Sequence, residues 1–204
     1  MIIGLTGAYC AGKNHVAAIL EKRGLPVIDV DKLGHQVLET EKEVIFAKFG
    51  NDLRKTDGTL DRRLLGQRIY GNPEKLAELE AIVHPKANQL TEEWIAGRDR
   101  AGDKVYVINA ALLHRSTIFQ KLDCVIIVNA PFFTRLFRAK QRDRLTWSQI
   151  LKRFASQKDF NSQYLSIKAE IYKVENFGLT RRSLSNPQKL ERQIDTIIEG
   201  MRYG

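Results

Sequence analysis

Eight residues near the beginning of the chain, Gly7 to Asn14, have the types and spacing needed to hold a phosphate group. Their sequence, GAYCAGKN, fits G-x-x-x-x-G-K and lies between an apolar strand pattern and a helical pattern, the setting that a phosphate-binding loop requires. The two glycines permit torsions that turn N–H groups toward a phosphate oxygen, and Lys13 would reach the β- and γ-phosphates. The alternative is a glycine-containing turn that only ends a strand. We expect nucleotide binding by Gly7, Ala8, Tyr9, Cys10, Ala11, Gly12, Lys13, Asn14 and His15.

Asn14 stands where such loops carry the Ser or Thr whose hydroxyl binds Mg²⁺. An amide oxygen is a poorer ligand for a hard cation, so we expect Asn14 to bind the metal weakly or through water. The four histidines and two cysteines show no spacing typical of a metal site. We therefore expect Mg²⁺ to be held mainly by phosphates and water, with Asn14 as its protein ligand.

Two carboxylates, Asp29 and Asp31, follow the second strand pattern of the chain. A carboxylate at such a strand end can orient a hydroxyl and accept its proton while the hydroxyl attacks a γ-phosphate. The alternative is that Asp31 caps a helix beginning at Lys32. Capping does not exclude a catalytic or substrate-positioning role, so both acids are candidates.

Arg135, Arg138 and Arg142 are three and four residues apart, which places them on one face of a helix. Mobile arginines in a lid can stabilise the charge that develops during phosphoryl transfer. We assign that role to Arg142 and interpret the others as a solvated basic face. An RNA-binding surface is the alternative, but no aromatic-rich recognition motif accompanies the charge. Further basic residues surround them in the sequence: Lys140, Arg144, Lys152, Arg153 and Lys158.

The composition is that of a folded domain with a polyanionic partner. The chain has 204 residues, 43% hydrophobic and 28% charged, and a formal charge of +9. This balance argues against general disorder, and the charge suits either nucleotides or nucleic acid. Two cysteines give no disulfide framework, and no apolar run approaches the roughly 18 residues of a membrane span. With no leader pattern at its beginning, we expect a cytoplasmic protein without membrane association.

Strand patterns alternate with helical patterns, which predicts an α/β fold with a parallel sheet and flanking helices. The predicted strands cover about 1–5, 26–29, 105–108 and 124–128. The predicted helices cover 13–23, 32–49, 60–96 with breaks at 71–73 and 84–85, a helix from Pro131, one capped by Thr146, and a last one capped by Asn186. Ligands of such sheets lie beyond the carboxyl ends of the strands, where Gly7, Asp29, Asn109 and Asn129 fall.

Several ordered blocks make the chain resemble the dephospho-coenzyme A kinase family of phosphate-loop kinases. The blocks are residues 3–14, PVIDVD at 26–31, DGTLDR at 57–62, LEAIVHP at 79–85, LL at 112–113, RD at 142–143, ASQ at 155–157 and EN at 175–176. The resemblance implies ATP-dependent phosphorylation of the ribose 3′-hydroxyl of dephospho-coenzyme A. It also implies a single kinase domain with a nucleotide core (about 1–31, 102–131 and 173–204), a helical substrate-binding part (about 32–101) and a helical lid (about 132–172).

The resemblance also implies roles for individual residues. Asp31 matches the acid that positions or deprotonates the hydroxyl, and it joins Lys13 and Arg142, the lid arginine, as a catalytic candidate. Arg62 and His84, with Asp29 and Asp31, are substrate-binding candidates, while Gln157 and Asn176 belong to motifs near the nucleotide. The chain departs from the family at Asn14 and at residues 109–115, where NAALLHR replaces the common DIPLLFE. Asn109 and Arg115 thus replace two acids, which weakens the expected metal site.

Two other functions fit the same residues. A phosphate-loop kinase acting on a nucleoside or nucleotide would share the loop and differ in its acceptor. A non-catalytic nucleotide sensor or RNA-associated module would bind ATP through Lys13 without transferring a phosphoryl group. The expected partner remains a small molecule, and we do not expect a nucleic acid partner. The sequence does not determine the oligomeric state.

Overall fold

In a computed structural model of the protein, the described residues are 1–143, 145–157, 160, 162–164, 167–177 and 187–203. The basic residues Arg144 and Lys158 and the predicted helix cap Asn186 lie outside them. The chain divides into two compact units, which we call the sheet unit (Met1–Ile28 and Asp103–Gly204) and the helical unit (Asp29–Gly102).

The described part of the chain forms a five-stranded sheet with the order β2-β3-β1-β4-β5. The strands are β1 (Ile2–Gly7), β2 (Val27–Asp29), β3 (Tyr106–Asn109), β4 (Cys124–Asn129) and β5 (Glu170–Glu175). Strand β1 runs parallel to β3 and to β4, and β4 runs parallel to β5. The predicted parallel α/β sheet is thereby confirmed, while β5 was missed because three of its six residues are charged and leave no apolar run.

The helices of the sheet unit are α1 (Lys13–Lys22), α6 (Phe132–Asp143), α7 (Trp147–Ala155) and α8 (Pro187–Tyr203). Helices α1 and α8 supply apolar side chains that share one core with β1 and β4. The predicted stripe of α8 is confirmed, because Leu190, Ile194, Ile197 and Ile198 are all buried and Met201 packs against them. In α7, Ile150 is buried, but Trp147 and Leu151 are exposed, so its predicted apolar face is only partly covered.

The helices of the helical unit are α2 (Val30–Thr40), α3 (Lys42–Phe49), α4 (Arg62–Ile69) and α5 (Pro73–Arg100). Ile45, Phe46, Phe49, Leu53, Leu60, Leu65 and Leu79 form its own small core. The predicted helix 32–49 is therefore two helices. Helix α2 begins at Val30 and its cap is Asp29, whose side chain accepts the N–H of Lys32, so the alternative that Asp31 caps a helix beginning at Lys32 was wrong.

Helix α5 continues through Pro85, and the break expected at His84–Pro85 was wrong. A proline inside a helix removes one backbone hydrogen bond and crowds the preceding turn, so neighbouring packing must compensate. Helix α2 packs against α5 close to this proline, with Gly34 next to the Val83 side chain. The helix thus continues through the local stop signal, and His84 lies within it.

Candidate functional site

The predicted phosphate loop connects β1 to α1, as its sequence pattern requires. Gly7 is needed because a Cβ atom there would lie 2.8 Å from the backbone oxygen of Val128 on the adjacent strand. Gly12 has a φ of 97°, and a Cβ atom on it would lie 2.3 Å from Nδ2 of Asn176. Cys10 also has a positive φ, 60°, which is uncommon for a residue other than glycine. The loop thus has a specific, tightly enclosed backbone rather than that of a simple turn.

Side chains from two other elements hold the carbonyl groups of this loop. Nδ2 of Asn176, which follows β5, donates to the Ala11 oxygen at 2.9 Å, and Nη1 of Arg138 on α6 donates to the same oxygen at 3.0 Å. Arg138 also donates to the Cys10 oxygen at 3.3 Å and to Oδ1 of Asn176 at 3.2 Å. Since C=O and N–H of a trans peptide point in opposite directions, fixing the Ala11 oxygen turns the Gly12 N–H to the other side. Asn176 and Arg138 therefore orient the loop for an anion.

Arg138 is bound and partly buried, so the interpretation of this residue as part of a solvated basic face was wrong. Burial lowers the pKa of its guanidinium, which nonetheless stays charged. Arg135 is similar: its Nε donates to the Ala130 oxygen at 3.1 Å, its guanidinium lies 4.9 Å from the ring centre of Phe154, and burial lowers its pKa. The helical spacing placed these arginines on one face but could not show that the face turns inward.

Lys13, Asn14 and Asn109 are joined by hydrogen bonds at the beginning of α1. Nζ of Lys13 donates to Oδ1 of Asn109 at 3.0 Å and to Oδ1 of Asn14 at 3.2 Å. Nδ2 of Asn109 donates to the same Asn14 oxygen at 3.2 Å. Asn109, at the end of β3, is 1% exposed, whereas Asn14 is exposed. His15, also exposed, donates its N–H to the Gly12 oxygen within the helix start.

Tyr9, in the middle of the loop, connects it to helices α6 and α7. Its N–H donates to Oε1 of Gln157 at 2.6 Å, and its hydroxyl donates to Asp143. Arg142 lies with its Nε 2.6 Å from Oδ1 of Asp143 and its guanidinium 5.4 Å from the Tyr9 ring centre, and Arg153 reaches the same carboxylate at 3.4 Å. The structure therefore brings the predicted residues Arg142 and Gln157 to the phosphate loop.

These contacts change the protonation equilibria of the cluster. Burial opposes ionisation of Asp143, but hydrogen bonds from Arg142 and Tyr9 outweigh it and hold the pKa of this carboxyl below its ordinary value. The bond to Asp143 raises the pKa of Arg142. Burial, with the same carboxylate, raises the pKa of the Tyr9 phenol. Burial also raises the pKa of the Cys10 thiol, against the opposing charge of Arg142, so this loop cysteine is a neutral thiol.

A cavity of about 430 Å³ opens beside the loop within the sheet unit. Its wall combines aromatic and aliphatic side chains with a few polar groups: Ala8, Asn129, Ala130, Phe132, Arg135, Leu151, Phe154, Ala155, Gln157 and Phe160. Such a lining suits the organic part of a ligand whose phosphates lie on the loop.

The remaining candidates belong to the helical unit. Asp29 caps α2, and Asp31 lies in its first turn, partly buried. His84 is partly buried on α5. Arg62 is exposed and begins α4, directly after its cap Asp61, whose side chain accepts the Leu64 N–H at 2.9 Å. No finding tests the roles predicted for these four residues, which remain predictions.

Arg62 lines a second cavity, of about 510 Å³, together with Glu39, Lys55, Thr59, Leu60, Asp61 and Arg63. The preceding block, Asp57 to Leu60, forms a turn in which Asp57 accepts the N–H and the hydroxyl of Thr59 at 2.9 and 2.6 Å. These bonds lower the pKa of the Asp57 carboxyl. Three basic side chains against two acidic ones leave this cavity with a cationic excess, which suits a phosphorylated ligand.

Comparison with known proteins decides the family. The family model described as dephospho-CoA kinase matches residues 1–171. The chain belongs to the dephospho-CoA kinase family. The dephospho-CoA kinase of Treponema pallidum is 33% identical over 97% of this chain and 93% of its own length, and that of Shouchella clausii is 39% identical over 77% and 81%. The solved dephospho-CoA kinase from Campylobacter jejuni has a TM-score of 0.69 and 25% identity, covering 98% of this chain and 96% of its own.

The predictions from sequence missed two contacts on the nucleotide side: that of Arg138 with the loop carbonyls and that of the Tyr9 hydroxyl with Asp143. The three residues stood in patterns noted in the sequence, which are the spacing of α6, the phosphate loop and the RD block at 142–143, but these patterns did not reveal their partners. In the described residues, no three His, Cys, Asp or Glu side chains lie close enough to hold a metal ion. Among the described residues, none of the helices has the length and apolar character that crossing a membrane requires.

Proposed function

We propose that the protein transfers the γ-phosphoryl group of ATP to the ribose 3′-hydroxyl of dephospho-coenzyme A, giving coenzyme A and ADP. The observation that carries the proposal is the loop from Gly7 to Asn14, whose carbonyl groups are held by Arg138 and Asn176. In a chain of the dephospho-CoA kinase family, this loop is where a triphosphate would bind. ATP is the donor that a kinase of this family requires.

On the donor side, we assign the loop residues 7–15 to the phosphates and Lys13 to the β- and γ-oxygens. Gln157 and Asn176 act through the loop backbone, because they contact Tyr9 and Ala11. Bound Mg²⁺ would neutralise charge on the β- and γ-oxygens. Asn14 and Asn109 offer amide oxygens that already accept hydrogen bonds, so these residues do not fit a dedicated metal site. We propose that the cation is bound mainly by phosphates and water.

On the acceptor side, we assign Asp31 as the group that orients the 3′-hydroxyl and accepts its proton. The hydroxyl oxygen would form the new bond to the γ-phosphorus as the bond to ADP breaks. Asp29 supports this role by capping α2, which fixes the turn that carries Asp31. The basic cavity with Arg62 suits the diphosphate of dephospho-coenzyme A, and His84 is the remaining substrate-binding candidate.

Arg142 is the residue we assign to charge stabilisation during transfer. Its guanidinium is paired with Asp143 and is 61% exposed, so an incoming triphosphate can compete for it. Since Tyr9 of the loop bonds to the same Asp143, the arginine is already next to the phosphate loop before nucleotide binds. We also propose a cytoplasmic location, where ATP is available as the donor.

The test is acceptor-dependent turnover by the purified protein. We would incubate it with ATP and Mg²⁺ and separately with dephospho-coenzyme A, adenosine or shikimate, and follow the acceptor by mass spectrometry. The proposal expects a phosphorylated product only from dephospho-coenzyme A, with the phosphorus located at the 3′-oxygen by NMR. Turnover of adenosine instead would favour a nucleoside kinase, and ATP binding without any product would favour the non-catalytic alternative.

A further inference from the structure

Tyr9 occupies a position that the pattern G-x-x-x-x-G-K leaves open, so its side chain is a property of this chain rather than of phosphate loops in general. Its N–H donates to Oε1 of Gln157 at 2.6 Å, and its hydroxyl donates to Oδ2 of Asp143 at the end of α6. The ring packs edge-on against Phe154 of α7, with 5.4 Å between the ring centres. These contacts fix the orientation of the Tyr9 side chain as well as its place.

Asp143 receives the Tyr9 hydroxyl and two guanidinium groups. Nε and Nη2 of Arg142 donate to its two oxygens at 2.6 and 3.1 Å, and Nη1 of Arg153 on α7 donates to Oδ2 at 3.4 Å. The Asp143 side chain is 14% exposed, whereas the Arg142 side chain is 61% exposed. The carboxylate is therefore a fixed support that holds the fork of a guanidinium facing solvent.

An arginine can be held by one carboxylate and also bind a phosphate, because its guanidinium has five N–H donors. Asp143 takes donors on Nε and Nη2 of Arg142. The guanidinium carbon lies 5.4 Å from the centre of the Tyr9 ring, which places it beside the phosphate loop. The Nη1 amino group is the part that we assign to a phosphate oxygen on that loop.

The protonation of Tyr9 and Asp143 suits the bond between them. Burial and the neighbouring carboxylate raise the pKa of the Tyr9 phenol, so the hydroxyl keeps the proton that it donates near neutral pH. Although burial opposes ionisation of Asp143, hydrogen bonds from Arg142 and Tyr9 lower its pKa, so the carboxylate remains a charged acceptor.

We infer that Tyr9 and Asp143 are positioning residues for phosphoryl transfer: the Tyr9 hydroxyl orients the carboxylate of Asp143, and that carboxylate sets the direction in which Arg142 meets the transferring phosphoryl group. The inference rests on the proposed function and adds two side chains that act through Arg142. Without the Tyr9 hydroxyl, Arg142 stays in the site but is less well oriented. The cost falls on the transition state, where charge develops on the equatorial oxygens, rather than on ATP binding.

The experiment compares Tyr9→Phe with the wild type in steady-state transfer from ATP to dephospho-coenzyme A. The variant keeps the ring that packs against Phe154 and removes only the hydroxyl, so it should remain folded, which thermal melting verifies. We expect kcat to fall by about tenfold and the KM for ATP to stay within about twofold, because a hydrogen bond to a charged group is lost from the transition state.

Two results with this variant would overturn the inference and leave the proposed function intact. One is an unchanged kcat, and the other is a rise in the KM for ATP at unchanged kcat, which would place the role of the hydroxyl in ATP binding. A wild-type protein that transfers no phosphoryl group to dephospho-coenzyme A would overturn both the inference and the proposed function.

Arg142→Ala tests whether Tyr9 acts through this arginine. In that background Tyr9→Phe should lower kcat by less than about twofold, because the group that the hydroxyl positions is absent and the two effects do not add. A tenfold loss of kcat in both backgrounds would show that the hydroxyl acts on the loop independently of Arg142, and it would overturn the inference.

Tyr172→Phe is the matched control. The Tyr172 hydroxyl donates to Oε2 of Glu170 at 2.7 Å on strand β5, so the variant removes a phenol-to-carboxylate bond of the same kind at an exposed place in the sheet unit. We expect it to have the kcat and KM of the wild type. An equal loss of kcat in Tyr172→Phe and Tyr9→Phe would overturn the assignment to Tyr9.

Discussion

The candidate residues of the sheet unit belong to several elements distant in the sequence and meet around one loop. Those of the helical unit, apart from His84 within α5, lie at helix starts, where near neighbours hold them. Asn176 contacts Ala11, 165 residues away, and Gln157 contacts Tyr9, 148 residues away. In contrast, Asp29 bonds to Lys32, Asp57 to Thr59 and Asp61 to Leu64. We infer that the nucleotide side is fixed by the fold as a whole, and that the acceptor side is fixed by local structure.

This difference has energetic consequences. Each buried hydrogen bond on a loop carbonyl, once lost, leaves an unsatisfied polar group that costs about 1–3 kcal/mol. Removing a helix cap lowers the free energy of unfolding by about 1 kcal/mol. Substitutions on the nucleotide side should therefore affect stability and ATP binding together, and those on the acceptor side should affect the reaction with little change in stability.

The largest expected effect comes from Asp31→Asn. If Asp31 accepts the hydroxyl proton, turnover should fall by about 10²- to 10⁴-fold, the range typical of a lost general base. The dissociation constant of ATP should stay within about twofold, because the variant keeps the shape of the side chain and lies outside the phosphate loop. Calorimetry and steady-state turnover measure the two quantities. Equal losses of ATP affinity and turnover would argue against the assignment.

Lys13→Ala should weaken ATP binding and also reduce turnover. Removing the ammonium eliminates a charge-assisted contact to the phosphates, so we expect ATP to bind at least about tenfold more weakly and turnover to fall by at least about 10²-fold. The variant also removes the donor shared by Asn14 and Asn109. Unchanged ATP affinity would show that the nucleotide phosphates bind elsewhere.

Asn176→Ala tests whether distant contacts hold the loop. The variant removes one of the two donors to the Ala11 oxygen and leaves Arg138 without one acceptor, so unfolding free energy should fall by about 1–3 kcal/mol and ATP affinity should fall with it. Chemical denaturation and calorimetry are the measurements. A variant of normal stability and normal ATP affinity would show that Asn176 does not orient the loop.

Arg62→Gln tests the acceptor side with a matched control. We expect the KM for dephospho-coenzyme A to rise by about tenfold, with an unchanged KM for ATP, because a charge-assisted contact to a phosphate is lost. Arg100→Gln, an exposed arginine at the end of α5, should change neither constant. A rise in the KM for ATP alone would show that Arg62 contacts ATP and not dephospho-coenzyme A.

The smallest expected effect is the pH dependence contributed by Asp143. Its pKa is lowered in the folded state, so its contribution to stability is complete above the unfolded pKa, about 3.9, and disappears as the pH falls through the lower folded value. Asp143→Asn should thus lower the melting temperature at pH 7, and this difference should shrink below about pH 4. A difference that is the same at pH 3 and pH 7 would contradict the account of this ion pair.

The contrast between long-range and local contacts also explains which features could be predicted from the sequence. The loop, its flanking strand and helix, and the apolar runs of β3 and β4 follow local patterns, and each was predicted correctly. The two-amide set around Lys13 could not be predicted, because Asn109 is 96 residues from Lys13 and meets it only through strand pairing. The spacing of Arg138 in the sequence is typical of a surface arginine. Only the packing of α6 shows that its side chain donates to a loop carbonyl.

Some predictions made from local sequence patterns were wrong. The proline after His84 predicted a helix end, but α5 continues through it, with α2 packed alongside. Asp31 was weighed as a cap, but the helix begins two residues earlier and uses Asp29. Strand β5, whose residues are EIYKVE, contains three charged residues and no apolar run, and it forms a strand by pairing with β4.

The most direct measurement is a crystal structure of the protein with a non-hydrolysable ATP analogue and dephospho-coenzyme A. The account predicts the β- and γ-phosphates inside the loop formed by Gly7 to Asn14, with Lys13 on their oxygens and the ribose 3′-hydroxyl within hydrogen-bond distance of Asp31. A nucleotide bound away from this loop, or a 3′-hydroxyl held far from Asp31 by a different residue, would contradict it.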